Sequence, residues 1–459
     1  MKNRFAVLLA AGQGTRMKSK LYKVLHPILK QPMIHYVLDA LAPVGVSETV
    51  TVVGHGADQV KSSIGNRSNF VVQEEQLGTA HAVLQTEELL KNKQGTTIVV
   101  CGDTPLITSE TYNKLFEHHE NEQAKATILT TKVDNPAGYG RVIRNETNDV
   151  EKIVEHKDAN NEELTINEIN TGTYCFDNEA LFEALLQVDN DNVQNEYYLP
   201  DVVEILKSQG EKVSAYITED ADETIGINDR AALSEAEMVM KKRINLQHAK
   251  NGVSIMDLTH TYISPEVEIE GDVVIYPGTM LTGNTTVKSG AIIGPHSEID
   301  NSTIGKDTVI RQSIVINSKI GDTVNIGPFA HIRPDTSIGD HVKVGNFVEV
   351  KHSVIDDTTK VPHLSYIGDS ELGKGINIGS GTTTVNYDGV NKHKTTIGDN
   401  AFIGCNTNLV APVNIDAGAF VAAGTTVTKN VPEDALAIAR AKQVNKEGYA
   451  SKIKKQNQQ

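Results

Sequence analysis

The sequence predicts an α/β layered domain with a mainly parallel sheet, then a linker helix, then a parallel β-helix. Three observations carry this. Residues 1–228 alternate apolar strand-like runs with amphipathic helical stretches, 229–251 hold one helical pattern, and from Ile263 onward an aliphatic residue returns every sixth position. Residues 252–437 are assigned to the hexapeptide region and 438–459 to a basic tail.

In the first domain, Phe5-Ala-Val-Leu-Leu-Ala-Ala11 reads as a buried strand. With Lys2 and Arg4 before it the run looks superficially like a secretory signal, but Gly12-Gln-Gly-Thr-Arg16 follows at once and its apolar part is of minimal length. Thr49–Val53, Thr96–Cys101 and Ala126–Thr131 read as further strands. Ligands in such sheets sit beyond the strand carboxyl ends. In the linker, Leu233, Ala236, Met240 and Ile244 share one helix face, Asn228 or Asp229 can cap the start, and Asn251-Gly252 can stop the end.

The hexapeptide region holds three aliphatic series, Ile263 to Ile299, Ile320 to Val350 and Ile397 to Val427. Six fits neither helix nor alternating strand, and it is the period of a β-helix in which each aliphatic residue points into a narrow core. The small residues that follow, as in Ile-Gly at 320, 338 and 397, are expected where the backbone turns sharply. Two breaks, roughly Asp356 to Tyr366 with His363 and Val385 to Thr396 with Asn386-Tyr387, are expected to loop outward and carry function.

The chain has 459 residues, 39% hydrophobic and 22% charged, with a net charge of −16. That charge argues against a long nucleic acid or an anionic membrane as partner, so any polyanion site must be local. No apolar run approaches membrane-spanning length. Three widely separated cysteines, Cys101, Cys175 and Cys405, give no metal spacing and suit a reducing, cytoplasmic location.

The first 38 residues contain no Asp or Glu but several Lys and Arg, an asymmetry that marks a local anion site around Leu9-Ala-Ala-Gly-Gln-Gly-Thr-Arg-Met17. The exposed amides of such a loop can cradle phosphate oxygens. A Walker motif is missing here, and Met17 stands where the dinucleotide fingerprint needs its third Gly. Asp103 follows an apolar strand, at a strand end where phosphates would meet it. In the hexapeptide region Arg333 directly follows Ile332 and Lys351 directly follows Val350, eighteen residues on. Three hexapeptides per coil would put both on one face, about one coil apart, as an anion pocket.

The Gly-loop string resembles the sugar-nucleotide pyrophosphorylases. Over essentially all of its length the chain resembles the bacterial bifunctional N-acetylglucosamine-1-phosphate uridyltransferases and glucosamine-1-phosphate acetyltransferases. The resemblance implies a Rossmann-like nucleotidyltransferase domain, a left-handed β-helix and a homotrimer. It implies UTP, glucosamine 1-phosphate and acetyl-CoA as small-molecule substrates, with Mg²⁺ held by Asp103 and Asn228.

For uridylyl transfer the resemblance implies Arg16 and Lys23 as catalytic cations. Nucleotide or sugar contacts fall on Leu9, Ala10, Ala11, Gly12, Lys23, Gln73, Gly78, Thr79, Gly140, Glu155, Asn170 and Asn228, with Gln73, Gly78 and Thr79 in the uracil-reading loop. For acetyl transfer it implies His363 as base, Arg333, Lys351, Tyr366 and Asn377 on the sugar phosphate, and Asn386, Tyr387, Ser380, Cys405, Ala423 and Arg440 on acetyl-CoA. Imidazole titrates near neutrality and can deprotonate an ammonium, which has no lone pair to attack with. Ser380 and Cys405 depart from the residues usual in the family, Ala and Ser, and both remain small. An alternative stays open: nucleotidyl transfer alone, with the β-helix as an oligomerisation or regulatory module.

Overall fold

The computed structural model describes residues 3–54 and 56–456, so Lys2 lies outside the described residues, as does the side chain of Lys455. The chain divides into two compact units, Met1–Met240 and Lys241–Gln459.

The first unit is built on one twisted sheet. Across it run Val213–Ile217, Ala126–Lys132, Glu168–Asp177, Gly95–Cys101, Asn3–Ala10, Val46–Val53 and Asn69–Val72, with the pair Arg141–Arg144 and Val150–Val154 attached to Glu168–Asp177. All neighbours along that run are parallel except the two contacts made by Glu168–Asp177. Phe5, Ala6, Val7 and Leu8 are buried, as a strand covered on both faces requires. Leu9 pairs with Cys101 in register, so the loops after Ala10 and after Cys101 leave the same edge of the sheet side by side.

A helix, Arg230–Lys250, follows. Of its two candidate caps, Asp229 serves: its carboxylate accepts from the amides of Ala231 and Ala232 at 3.0 and 2.9 Å. Asn228 is committed elsewhere, as described below. Within the second unit the helix end is tied down by buried Asn245, whose amide donates to the carbonyls of Leu258 and Thr261, both at 2.9 Å.

The second unit is a left-handed parallel β-helix whose three faces hold, among the described residues, eleven, ten and nine short strands. One inward residue per strand builds a continuous buried column, in which Ile275, Leu281 and Val287 are fully buried. No coil can bury its own core, so each depends on its neighbours.

The structure corrects two expectations about this column. The first break is not an outward loop: Val344 pairs with Val361 and Val350 with Ile367, so the coil is complete and is merely one residue short of eighteen. His363 therefore ends a regular strand, Lys360–His363. The same shortening occurs earlier, where Ile299 is followed by core residue Ile304, and this is why the sequence repeat lost phase after Ile299. The second break does leave the prism, as a loop bridged between Tyr387 and Lys392 with Val390 81% exposed.

Glycine placement is the other correction. The left-handed backbone at the edges of the prism is carried mostly by other residues, among them Asp335, His341, Phe347, His352, Leu364 and Asp369. A glycine such as Gly339 is needed instead because the next coil passes close by. A Cβ there would stand 2.5 Å from an Asp357 carboxylate oxygen, which accepts the Asp340 amide at 3.0 Å. Within the basic tail, Tyr449–Gln456 is helical.

Candidate active sites

In the first unit the loop after Ala10 turns through Gly14, whose φ is +64° and where a Cβ would meet the Lys23 side chain at 2.5 Å. That contact requires glycine and seats the Lys23 stem beneath the loop. A cavity of about 310 Å³ opens at this sheet edge, lined by Leu9, Ala10, Ala11, Gly12, Lys23, Gln73, Gly78, Thr79 and Asp103 from the expected set, and also by Gln76, Cys101 and Glu196. Gln76 was missed as a site residue: its amide donates to the Ala11 carbonyl at 2.6 Å and pins the Gly loop.

Asn228 arrives because the Ile227 amide donates to the Asp103 carbonyl at 2.9 Å. The Asn228 carboxamide oxygen accepts from Lys23 at 2.7 Å and from Arg16 at 2.8 Å, and Lys23 also pairs with the Asp103 carboxylate. Two hard oxygen donors thus converge on one cationic group. A single carboxylate plus an amide oxygen is a donor set that Mg²⁺ accepts when phosphate and water oxygens supply the rest, so these residues fit that ion. Among the described residues no cluster of three or more His, Cys, Asp or Glu offers an all-protein metal site.

Gly140, Glu155 and Asn170 also come together: the Asn170 amide donates to the Gly140 carbonyl at 2.9 Å, and a Cβ on Gly140 would lie 3.2 Å from Glu155. Asn170 is oriented by the hydroxyl of buried Tyr174 at 2.7 Å. Burial raises the Glu155 carboxyl above its usual range, with Asp158 and Glu196 adding to the effect. Nearby Asp201 is pushed up to about 7, first by burial and then by Glu204, Asp189, Glu155 and Asp158.

The sign of the consequence is definite. Between about pH 4 and pH 7 folded Asp201 keeps a proton that the unfolded chain has lost, so its contribution to stability declines as pH rises through that window. Asp201→Asn has no charge to desolvate. It is expected to raise the thermal midpoint by about 2–4 °C at pH 8, on the scale of a 1 kcal/mol effect in a domain of this size, and to leave it nearly unchanged at pH 4. Equal shifts at both pH values would contradict the assignment.

In the β-helix the expected residues separate onto two edges of the prism. Between the second and third faces, Ile332 pairs with Val350, so Arg333 and Lys351 stand on successive coils as the spacing predicted. A cavity of about 750 Å³ opens there, lined by Arg333, Lys351, His352, Asp369, Lys392, His393 and Lys394 among others. Lys392 and Lys394 come from the outward loop and were missed, since nothing in the sequence says which way that loop folds. Lys351 beside it, by direct contact and like charge, holds the Lys392 ammonium below its usual range. Arg333 pairs with Glu349 at 2.7 Å. The Asn386 amide donates to Asp369 and reaches the Tyr366 hydroxyl at 3.3 Å. Burial raises Asp369, but hydrogen bonds from His352 and Asn386 outweigh it and hold the carboxyl below its usual range.

His363 stands on the other edge, between the first and second faces. Its Nδ1 lies 3.0 Å from the Asn346 carboxamide oxygen, directly beneath it in register. A proton on Nδ1 satisfies that contact and leaves the Nε2 lone pair of this exposed ring for substrate. The same edge carries Ser380, Cys405, Ala423 and Arg440 on successive coils: the Asn406 amide donates to the Ser380 carbonyl at 2.7 Å, Gly424 to Cys405 at 2.8 Å, and the Arg440 guanidinium to Ala423 at 2.7 Å. Asn377 belongs to a first-face strand and Tyr366 to a second-face strand, so one chain does not bring all the sugar-phosphate candidates together. Tyr387 lies on the outward loop, 57% exposed, its hydroxyl donating to the Gly389 carbonyl at 2.6 Å.

Comparison with known proteins places both halves. Residues 5–234 match the nucleotidyl transferase family and residues 317–352 the bacterial transferase hexapeptide (six repeats). The chain is 62% identical over 455 residues to the Bifunctional protein GlmU of Oceanobacillus iheyensis, spanning 99% of this chain and 100% of that protein. It is 59% identical over 455 residues to that of Bacillus subtilis, with the same coverage. Against that of Halalkalibacterium halodurans the identity is 58% over 452 residues, or 98% and 99% of the two chains.

Proposed function

This chain belongs to the family of bifunctional GlmU proteins, and from that premise we propose which residues perform each half of its chemistry. It is a bifunctional transferase that makes UDP-N-acetylglucosamine. The β-helix transfers the acetyl group of acetyl-CoA to the amine of glucosamine 1-phosphate, releasing CoA thiol. The first unit then joins N-acetylglucosamine 1-phosphate to UTP, releasing pyrophosphate.

For uridylyl transfer, the amides of the Gly loop with Arg16 and Lys23 hold the triphosphate so that the sugar phosphate meets its α-phosphorus in line. Gly140, Glu155 and Asn170 position the sugar. Mg²⁺ at Asp103 and Asn228 would supply further neutralisation of phosphate charge. No covalent intermediate with the chain is needed.

For acetyl transfer, Arg333, Lys351 and Lys392 hold the sugar phosphate, and Nε2 of His363 takes a proton from the substrate ammonium, freeing the lone pair that attacks the thioester carbonyl. The stacked edge Ser380, Cys405, Ala423 and Arg440 carries the CoA chain.

The single observation that carries the assembly is the separation of His363 from the Arg333–Lys351 pocket onto different edges. Beside His363 runs a ridge of Phe329, Phe347 and Leu364 on successive coils, 52%, 54% and 58% exposed, with the two phenyl rings stacked at 5.5 Å. A contiguous apolar ridge of this kind marks an interface. A homotrimer would lay this ridge and its histidine against the basic edge of the next copy. Free Cys101, Cys175 and Cys405 support a cytoplasmic setting. Separately, no helix among the described residues is long and apolar enough to cross a membrane.

The test measures, on purified protein, thiol release from acetyl-CoA with glucosamine 1-phosphate and pyrophosphate release from UTP with N-acetylglucosamine 1-phosphate, alongside mass by light scattering. Both activities and a threefold mass are expected. Phe347→Asp is expected to give monomers that lose thiol release and keep pyrophosphate release. Full acetyl transfer by a monomer would refute the shared site.

A further inference from the structure

Gln73 is buried at 3% exposure at the end of the strand Asn69–Val72, and it lines the nucleotide cavity. Its amide nitrogen makes two contacts: it donates to the Gly78 carbonyl at 3.0 Å, and it lies 3.0 Å from Nδ1 of His81. The first contact settles which end of the amide is nitrogen, since an oxygen there would face a carbonyl oxygen. With both hydrogens directed at acceptors, His81 must offer the Nδ1 lone pair and carry its own proton on Nε2. Gln85, on the next turn of the same segment, lies 3.1 Å from that Nε2 and donates to the His81 carbonyl at 3.0 Å; being only part-buried, unlike Gln73, it can give up that second bond to water and turn its carboxamide oxygen to the Nε2 proton. The remaining hydrogen-bonding atom of Gln73 is then its carbonyl oxygen, an acceptor only.

We propose that His81 is a positioning residue for base selection: by holding the Gln73 amide nitrogen, it leaves Gln73 able to offer the pocket an acceptor and unable to offer a donor. The inference rests on the reading of Gln73 as the base-contacting residue. Uracil presents N3–H, a donor that this oxygen accepts. Cytosine has a bare N3 acceptor at the same place, which would face the oxygen lone pairs unpaired. A glutamine free to turn could serve either base. The lock thus converts an ambivalent side chain into a discriminating one. Gly78 assists through its φ of +115°, which turns its carbonyl toward Gln73, and a Cβ there would collide with the Tyr197 backbone at 2.4 Å.

The experiment compares kcat and KM for UTP and for CTP in pyrophosphate release by the full chain. In His81→Leu, which removes the acceptor, the ratio of kcat/KM for UTP over CTP is expected to fall about 10-fold or more, the scale of one misdirected hydrogen bond. The change should appear in KM, with kcat for UTP held within about two-fold, because uniform binding is what is lost. His81→Asn, whose carboxamide oxygen can replace Nδ1 as acceptor, is expected to restore most of the ratio. A packing role alone would lower both substrates together and would not be rescued by asparagine. Gln73→Ala separates the two levels of inference. If it leaves the ratio unchanged, Gln73 does not read the base. If it collapses the ratio while His81→Leu does not, the lock is refuted and the base contact stands.

Discussion

His363→Ala is expected to lower thiol release from acetyl-CoA by about 10²–10⁴-fold, the range that a positioned general base supplies, while pyrophosphate release from UTP is unchanged. The expectation follows from three features of the residue. The acceptor substrate is an ammonium at neutral pH and cannot attack until it loses a proton. The ring sits at an exposed edge with Nδ1 held by Asn346, so Nε2 is the free base. The substitution removes nothing from the core column, because the inward residue of that strand is Val361. A folded protein is therefore expected, and loss of both activities in a folded His363→Ala protein would sink the two-site account. Asn346→Ala should give a milder loss of the same kind, since it frees the ring to rotate without removing the base. Raising the pH should recover part of the His363→Ala defect, as more of the amine becomes neutral without help.

The reciprocal expectation concerns Asp103. Asp103→Ala is expected to lower pyrophosphate release by about 10²–10³-fold, in line with losing an electrostatic group that acts on the developing phosphate charge, and to leave thiol release intact. Here the competing account is a turn-forming aspartate ahead of Pro105. Asp103→Asn separates them, because asparagine keeps the shape and turn propensity but not the charge. Activity retained in Asp103→Asn would assign the residue to the turn. Activity lost there, with an unchanged thermal midpoint, would assign it to the cation site shared with Asn228. The structure favours the second outcome: the Asp103 carboxylate is paired with Lys23, and Asn228 is drawn to the same cation across more than two hundred residues of chain.

Much of the first site was legible because its parts are local. Leu9 to Gly12 form one continuous loop, Gln73 to Thr79 another, and Asp103 ends a strand whose apolar run is plain in the sequence. What could not be read was how the loops hold one another. Gln76 on the Ala11 carbonyl and His81 on the Gln73 amide are contacts whose partners carry no pattern of their own. The choice of cap was likewise undetermined between Asn228 and Asp229. Both side chains can cap a helix, and only the pull of Lys23 and Arg16 on Asn228 leaves the role to Asp229.

In the second unit the repeat of six identified the inward positions, since a strand one aliphatic residue wide tolerates little else in its core. The Gly loop pointed to nucleotidyl transfer, and the family resemblance to two activities, without any coordinates. Edge by edge placement was beyond reach of the repeat. It depends on where a coil is one residue short, as at Ile299 to Ile304 and across Ile338 to Ile355, and on which way the loop from Val385 folds. A single missing residue leaves the hydrogen-bond ladder intact, because the neighbouring strands keep their register by tightening one corner. The same residue shifts every following position in sequence count. Hence His363 looked like part of an outward break and proved to end a regular strand. The separation of that histidine from Arg333 and Lys351 emerged only when the coils were stacked, because it is set by backbone pairing between coils and not by any side-chain pattern along one of them.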